Sequence, residues 1–356
     1  MLATIPVSST AMGEPSLMPL SVEQVIQERV NNGRYPAMVI ALVDGTQSGI
    51  FTFGKLPNGA PPSADTVFEI GSVTKTFTAL LLAEAVQSGR VQLDEPVARV
   101  LPDFGIPQRN GRTITFGNLA TQCSGLPKLP DNLNINNLVN PYAGYDAGRL
   151  KTFLGDYTLT RDPGASYEYS NVGYALLGYA LARSAHMSYG ALLEQKILGP
   201  LGMTGTATTV TDAMRAHLAP GHDAWGSPAG NWDQDVFAGA GAILSTAADM
   251  QRYLNANMGR AARPLDEATS LAQQPRRNVD SHTRIGLAWM TTATPHGSII
   301  WHNGRTGGYG SFIGVSADRH RGVVILTNVS TSVDELGVAL LLNAGADANG
   351  KRADGN

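Results

Sequence analysis

The stretch Phe68-Glu69-Ile70-Gly71-Ser72-Val73-Thr74-Lys75-Thr76-Phe77, continued by TALLLAEAV to residue 86, decides how this chain is read. It sets a hydroxyl and an amine three residues apart at the entrance of a long apolar run. Residues three apart on a helix share a face, so Lys75 stands beside Ser72 Oγ on any helix formed here. A serine hydroxyl is a weak nucleophile until a base takes its proton. A lysine pushed towards neutrality by burial can take it. At the helix entrance the backbone N–H of Ser72 has no partner within the helix and is free to face an oxyanion. The bland alternative is a solvated Ser and Lys on an amphipathic helix, so the rest of the chain must decide.

Two further patterns follow in order: Tyr169-Ser170-Asn171 within GASYEYSNVGYALLGYALA, and His302-Asn303-Gly304 within SIIWHNGRTGGYGSFIGVS. Tyr169 follows Pro163-Gly164 and precedes a helix-like run from about Asn171, which puts it in a loop entering a helix. Tyr253-Leu254-Asn255 also spells Tyr-x-Asn. Thr246 and Asp249 make a capping box ahead of it, however, and the apolar spacing continues a helix, so Tyr253 is expected in the core or on a helix surface.

Ser-x-x-Lys, Tyr-x-Asn and Lys/His-x-Gly in this order resemble the penicillin-recognising serine hydrolases. Tyr in the second motif is similar to class C β-lactamases, the related D-Ala-D-Ala carboxypeptidases and the family VIII carboxylesterases. LGPLGM at 198–203 and AGAGAILSTAADM at 238–250 extend the likeness over nearly the whole chain. The resemblance implies a serine nucleophile, Ser72, that forms an acyl-enzyme, with Lys75 and Tyr169 managing protons. It also implies that Asn171 positions Lys75 and the substrate amide, and that the N–H of Arg305 completes the oxyanion hole with that of Ser72. With its phenol near two cations, Tyr169 is expected to have a lowered pKa and to shuttle protons as a phenolate. Lys75 either holds that charge or is itself the base.

The third motif departs from the β-lactamase pattern, which has Lys-Thr-Gly. A lysine offers a permanent charge to a drug carboxylate, whereas His302 titrates near neutrality. His302 and Asn303 are expected to bind substrate, with Arg305 a possible substitute cation. Gly304 is expected to let a substrate backbone approach the strand closely. The implied substrates are β-lactams or D-Ala-D-Ala-type peptides. A short-chain ester is the alternative, and a penicillin-binding protein that deacylates slowly is the second alternative.

Ser21-Val22-Glu23-Gln24 reads as a capping box opening a helix to about Asn32. AMVIALVDG and SGIFTFGK read as a hairpin, and SIIWHNG, GSFIGVSA and RGVVILTNV as later strands, before a closing helix in SVDELGVALLLNA. Hairpins at both ends with helices between them argue an α/β sandwich, β-lactamase/transpeptidase-like, whose antiparallel sheet is flanked by helices. Residues 1–72 and 237–356 are expected to form that α/β domain. Residues 73–236 are expected to form a second, mainly helical domain, with loops 125–145 and 219–235 rimming a cleft at the junction.

The chain has 356 residues and a formal charge of −3, with no basic footprint for nucleic acid. No run is long enough to span a bilayer. The single cysteine, Cys123, excludes an internal disulfide and reads as a buried inert thiol. The histidines lack metal-site spacing, no cofactor is implied, and His217 and His222 read as solvated loop residues. The first sixteen residues lack the basic and apolar regions of a secretory leader. The substrates of the resembled family favour a periplasmic location, with a cytoplasmic one as the alternative. The small, polar C-terminal stretch NAGADANGKRADGN reads as a frayed tail.

Overall fold

In the computed structural model, residues 17–133, 137 and 139–342 are described. The leader and tail readings therefore lie outside the described residues. Helix α1 (Leu20–Asn31) is followed by strands β1 (Ala37–Asp44), β2 (Gln47–Gly54) and the short β3 (Val67–Glu69). Helix α2 (Thr74–Gln87) follows the nucleophile turn. Among several short helices, α3 (Asn171–Ser184) carries the second motif. Then come β4 (Leu244–Thr246), α4 (Ala247–Asn255) and α5 (Leu265–Gln273). Strands β5 (Arg277–Asn278), β6 (Thr283–Ile285), β7 (Met290–Thr294), β8 (Gly297–Arg305), β9 (Gly310–Ser316) and β10 (Arg321–Thr327) lead to α6 (Asp334–Leu342).

Eight strands form one antiparallel sheet in the order β2-β1-β10-β9-β8-β7-β6-β5. The N-terminal hairpin thus pairs with the last strand, and the expected sandwich built from both termini is present. Strand β1 is an unbroken apolar run because helices cover both faces of the sheet. Its alternate residues separate accordingly. Met38, Ile40 and Leu42 pack with Val22 and Ile26 of α1 and Leu336 and Leu340 of α6. Val39, Ala41 and Val43 face a larger cluster that runs through Phe77 and Leu80 of α2 into Leu176 and Leu177 of α3.

Helix α2 is buried on nearly every side, which explains why its sequence shows no polar face. It ends as Gly89 takes φ +71°, a left-handed conformation that glycine adopts without cost. At α1 the expected capping box is not formed. The helix begins at Leu20, with Ser21 inside its first turn and no side-chain cap. The carbonyl of Pro19 instead accepts from Val22 N and Glu23 N, and the proline ring pre-sets the entry. Thr246 does cap α4, accepting from Asp249 N at 3.1 Å.

Among the described residues no helix is long and apolar enough to cross a membrane. Cys123 is fully buried, as expected. His217 is exposed. His222, read as solvated, is instead half-buried: its backbone N–H reaches Asn328 O at 2.9 Å, and its ring Nδ1 lies 3.1 Å from the same oxygen.

Candidate active site

Ser72 is the middle residue of a 3-10 turn, Gly71–Val73, that feeds α2. The turn lies backbone to backbone against the end of β8. A Cβ on Gly71, whose φ is +47°, would sit 2.8 Å from Arg305 N. A Cβ on Gly304 would sit 2.1 Å from Ile70 O and 3.0 Å from Ser72 N. Gly304 is therefore required for the strand to dock on the nucleophile turn, which corrects the expectation that it makes room for a substrate backbone. The same docking puts Ser72 N and Arg305 N side by side, and both residues line a pocket of about 30 Å³.

Lys75 is wholly buried, and three groups surround its amine. Nζ lies 3.0 Å from Ser72 Oγ, 2.8 Å from Asn171 Oδ1 and 2.7 Å from Ala240 O. Burial pushes its pKa well below the ordinary lysine value, and the Lys128 charge adds to the effect. A neutral amine has two hydrogens and one lone pair. Asn171 Oδ1 and Ala240 O can only accept, so they take both hydrogens, and the lone pair is left facing the Ser72 hydroxyl. This is the arrangement of a general base.

Tyr169 OH lies 2.6 Å from Ser72 Oγ. Burial holds this phenol above its ordinary pKa, and the bond to Ser72 opposes that only in part. The expected lowering is not found: burial dominates, and no cation is among the groups that oppose it. Tyr169 instead offers a proton. A charge formed on Lys75 during reaction would lie 4.9 Å from the Tyr169 ring centroid and 5.6 Å from that of Tyr174, where cation–π attraction stabilises it.

The second motif is set by the start of α3. Ser170 Oγ caps the helix by accepting from Gly173 N at 2.9 Å, and Ser170 N donates to Gln122 Oε1 at 2.7 Å. Asn171 N donates to Lys128 O at 3.0 Å. The rival Tyr253 is fully buried and stacks on Phe77 at 3.7 Å, in the core as expected.

The third motif is placed less simply. His302 is only 4 % exposed, and its Nδ1 lies 2.6 Å from Asn303 O. Burial, with the Lys75 amine adding to it, pushes its pKa down to about 4, so the ring is neutral near pH 7. It is no cation for a substrate carboxylate, and the cleft wall here is formed by Asn303, Gly304 and Arg305 of this strand and by Thr306 just beyond it. That cleft has a volume of about 530 Å³ and contains both Ser72 and Tyr169.

Four participants were not found in the sequence. Ala240 acts through a backbone carbonyl, and Tyr142 and Trp232 meet ring to ring at 5.2 Å across the cleft. Glu69 is buried and accepts from Asn231 Nδ2 at 2.8 Å and Trp232 N at 3.0 Å, fixing that wall. Only Glu69 left a signal, as a carboxylate in an otherwise apolar run beside the nucleophile.

The family model described as Beta-lactamase matches residues 22–347. Among curated relatives, Protein flp of Staphylococcus aureus (strain N315) is 26% identical over 332 residues, covering 87% of this chain and 63% of the relative. The chain thus spans less than two thirds of the length of that relative. A Beta-lactamase of Pseudomonas fluorescens is 25% identical, covering 86% of this chain and 92% of the relative. Among solved structures, a class C β-lactamase from Rhodobacter sphaeroides superposes with a TM-score of 0.78 at 23% identity, covering 91% and 98% of the two chains. The D-alanine carboxypeptidase AmpC from Burkholderia cenocepacia does so with a TM-score of 0.75 at 23% identity, covering 90% and 98%. With its motifs in order on this fold, and with the family model matched along nearly its full length, the chain belongs to the β-lactamase family.

Proposed function

We propose that this protein hydrolyses carbonyl compounds through an acyl-enzyme on Ser72. The observation that carries the reading is the position of Ser72 Oγ, 3.0 Å from a buried amine and 2.6 Å from a buried phenol. Lys75 takes the serine proton as Oγ attacks, and the oxyanion forms against the N–H groups of Ser72 and Arg305. Once Oγ is bonded to the acyl carbon, Tyr169 OH is released from it and gives its proton to the leaving atom. Lys75 resupplies that proton. The same pair then takes a proton from the water that attacks the acyl-enzyme and returns it to Ser72 Oγ as the acyl group leaves.

The names of the structural neighbours support a β-lactam or a D-alanyl peptide amide as substrate. A short-chain ester is favoured by one observation in the site: His302 is buried and neutral, so the third motif supplies no fixed cation for an acidic substrate. We take the ester as the leading substrate.

The test compares the protein with Ser72→Ala on nitrocefin, a short-chain p-nitrophenyl ester and a D-Ala-D-Ala peptide. Ester turnover that vanishes in the variant supports the reading, whereas turnover retained by Ser72→Ala refutes the mechanism. Nitrocefin left covalently attached, with no turnover of any substrate, makes the protein a slow-deacylating binder.

A further inference from the structure

We infer that Asp334 makes this cleft select against substrates carrying a carboxylate beside the third-motif strand, leaving uncharged esters and amides as the accepted class. The inference rests on the acyl-enzyme reading and names the substrates of that site. Asp334 is the first residue of α6 and lines the cleft that holds Ser72 and Tyr169. Its Oδ2 accepts from Asn303 Nδ2 at 2.7 Å, so the carboxylate is held against the strand that walls the cleft. Asp334 N in turn donates to Ser332 Oγ at 3.2 Å, which fixes the start of the helix.

Charges of both signs line this wall. Arg305 is the cation beside Asp334, and it is exposed, so solvent and salt screen it. Asp334 is half-buried, and its field reaches the cleft with less screening. Burial raises the pKa of its carboxyl, and the hydrogen bond from Asn303, with a smaller effect of the Arg305 charge, acts in the opposite direction. The N-terminus of α6 would attract an anion. Its first turn already carries Asp334 and Glu335. Lys128, the other cleft cation, is exposed and hangs from the loop before the second motif. A substrate carboxylate entering along β8 would therefore meet a like charge and no unmatched, unscreened cation.

The test uses two esters that differ in one group, 3-carboxyphenyl and 3-carbamoylphenyl phenylacetate, each rate being divided by that of hydroxide hydrolysis. The carbamoyl ester should be preferred by about tenfold in kcat/KM, the order of one partly screened charge pair. Asp334→Asn should bring the ratio close to one by freeing Arg305, and Arg305→Gln in that background should take the gain away again. A carboxyl ester preferred by the unaltered protein, or a ratio unmoved in folded Asp334→Asn, overturns the inference. If Asp334→Asn does not fold, Arg305→Gln alone decides. A change of less than about twofold in the ratio supports an already neutralised guanidinium, and a selective tenfold loss of the carboxyl ester overturns it. No Ser72-dependent turnover of either ester overturns the ester reading and this inference with it, while turnover with the wrong preference overturns this inference alone.

Discussion

Replacing Gly304 by alanine should disable the site while leaving the fold standing. An added Cβ would lie 2.1 Å from Ile70 O, where real contacts essentially never fall below 3.0 Å. The opposing atom is backbone and cannot swing away, so strand and turn must part by about 0.9 Å (3.0 − 2.1). The same Cβ would stand 3.0 Å from Ser72 N, so the gap opens between the two N–H groups that face the oxyanion. A misplacement of about 1 Å costs on the order of 100-fold in rate, equivalent to about 2.7 kcal/mol of transition-state stabilisation. The assay is kcat and KM on a short-chain ester, with far-UV circular dichroism and a melting curve to establish folding. The loss should fall mainly in kcat, because the oxyanion contact is made in the transition state. A folded Gly304→Ala protein with kcat within about threefold of the parent would refute the docking argument.

His302 should make the protein less stable in mild acid. Its folded pKa of about 4 lies below its ordinary 6.5, so between these values the unfolded chain binds a proton that the folded one does not. Stability from this group is intact above pH 6.5 and is lost as pH falls to about 4, by about 3 kcal/mol in all. Urea titrations of the parent and of His302→Asn across that window should show a difference that shrinks with acidity; parallel curves would count against it. Tyr169→Phe should lower ester kcat by about 100-fold or more, since it removes the proton donor to the leaving group. Tyr253→Phe should leave kcat alone and cost about 1 kcal/mol through its 3.1 Å bond to Thr76 Oγ1. Equal kinetic effects of the two substitutions would mean that the wrong Tyr-x-Asn has been assigned.

Much of the site was legible because its chemistry is local in sequence. Ser72 and Lys75 meet through helix geometry alone, and the start of α3 presents Asn171 through a Ser170 cap that a loop-then-helix pattern anticipates. The hairpins and the closing helix were likewise readable from period-two and period-3.6 patterns, which depend on nearest neighbours. The α1 start was misjudged because a Ser-x-x-type pattern competes with a preceding proline, and the carbonyl of Pro19 satisfied the first amides instead.

Protonation was a different matter. The identity of Tyr169 and His302 says what they can titrate, whereas their pKa values follow from how much water the packed chain removes around them. Sequence by itself determined that Ser72 and Lys75 stand one helical turn apart, the order of the motifs and the sandwich that brings both termini into one sheet. Tertiary structure alone decided that the Lys75 amine is buried beside Ser72 Oγ, that Gly304 serves the docking of the nucleophile turn, and that Ala240, Glu69, Trp232 and Asp334 lie at or behind the cleft. Those roles depend on burial and on backbone atoms brought together from distant segments, and neither quantity is carried by any one stretch of residues.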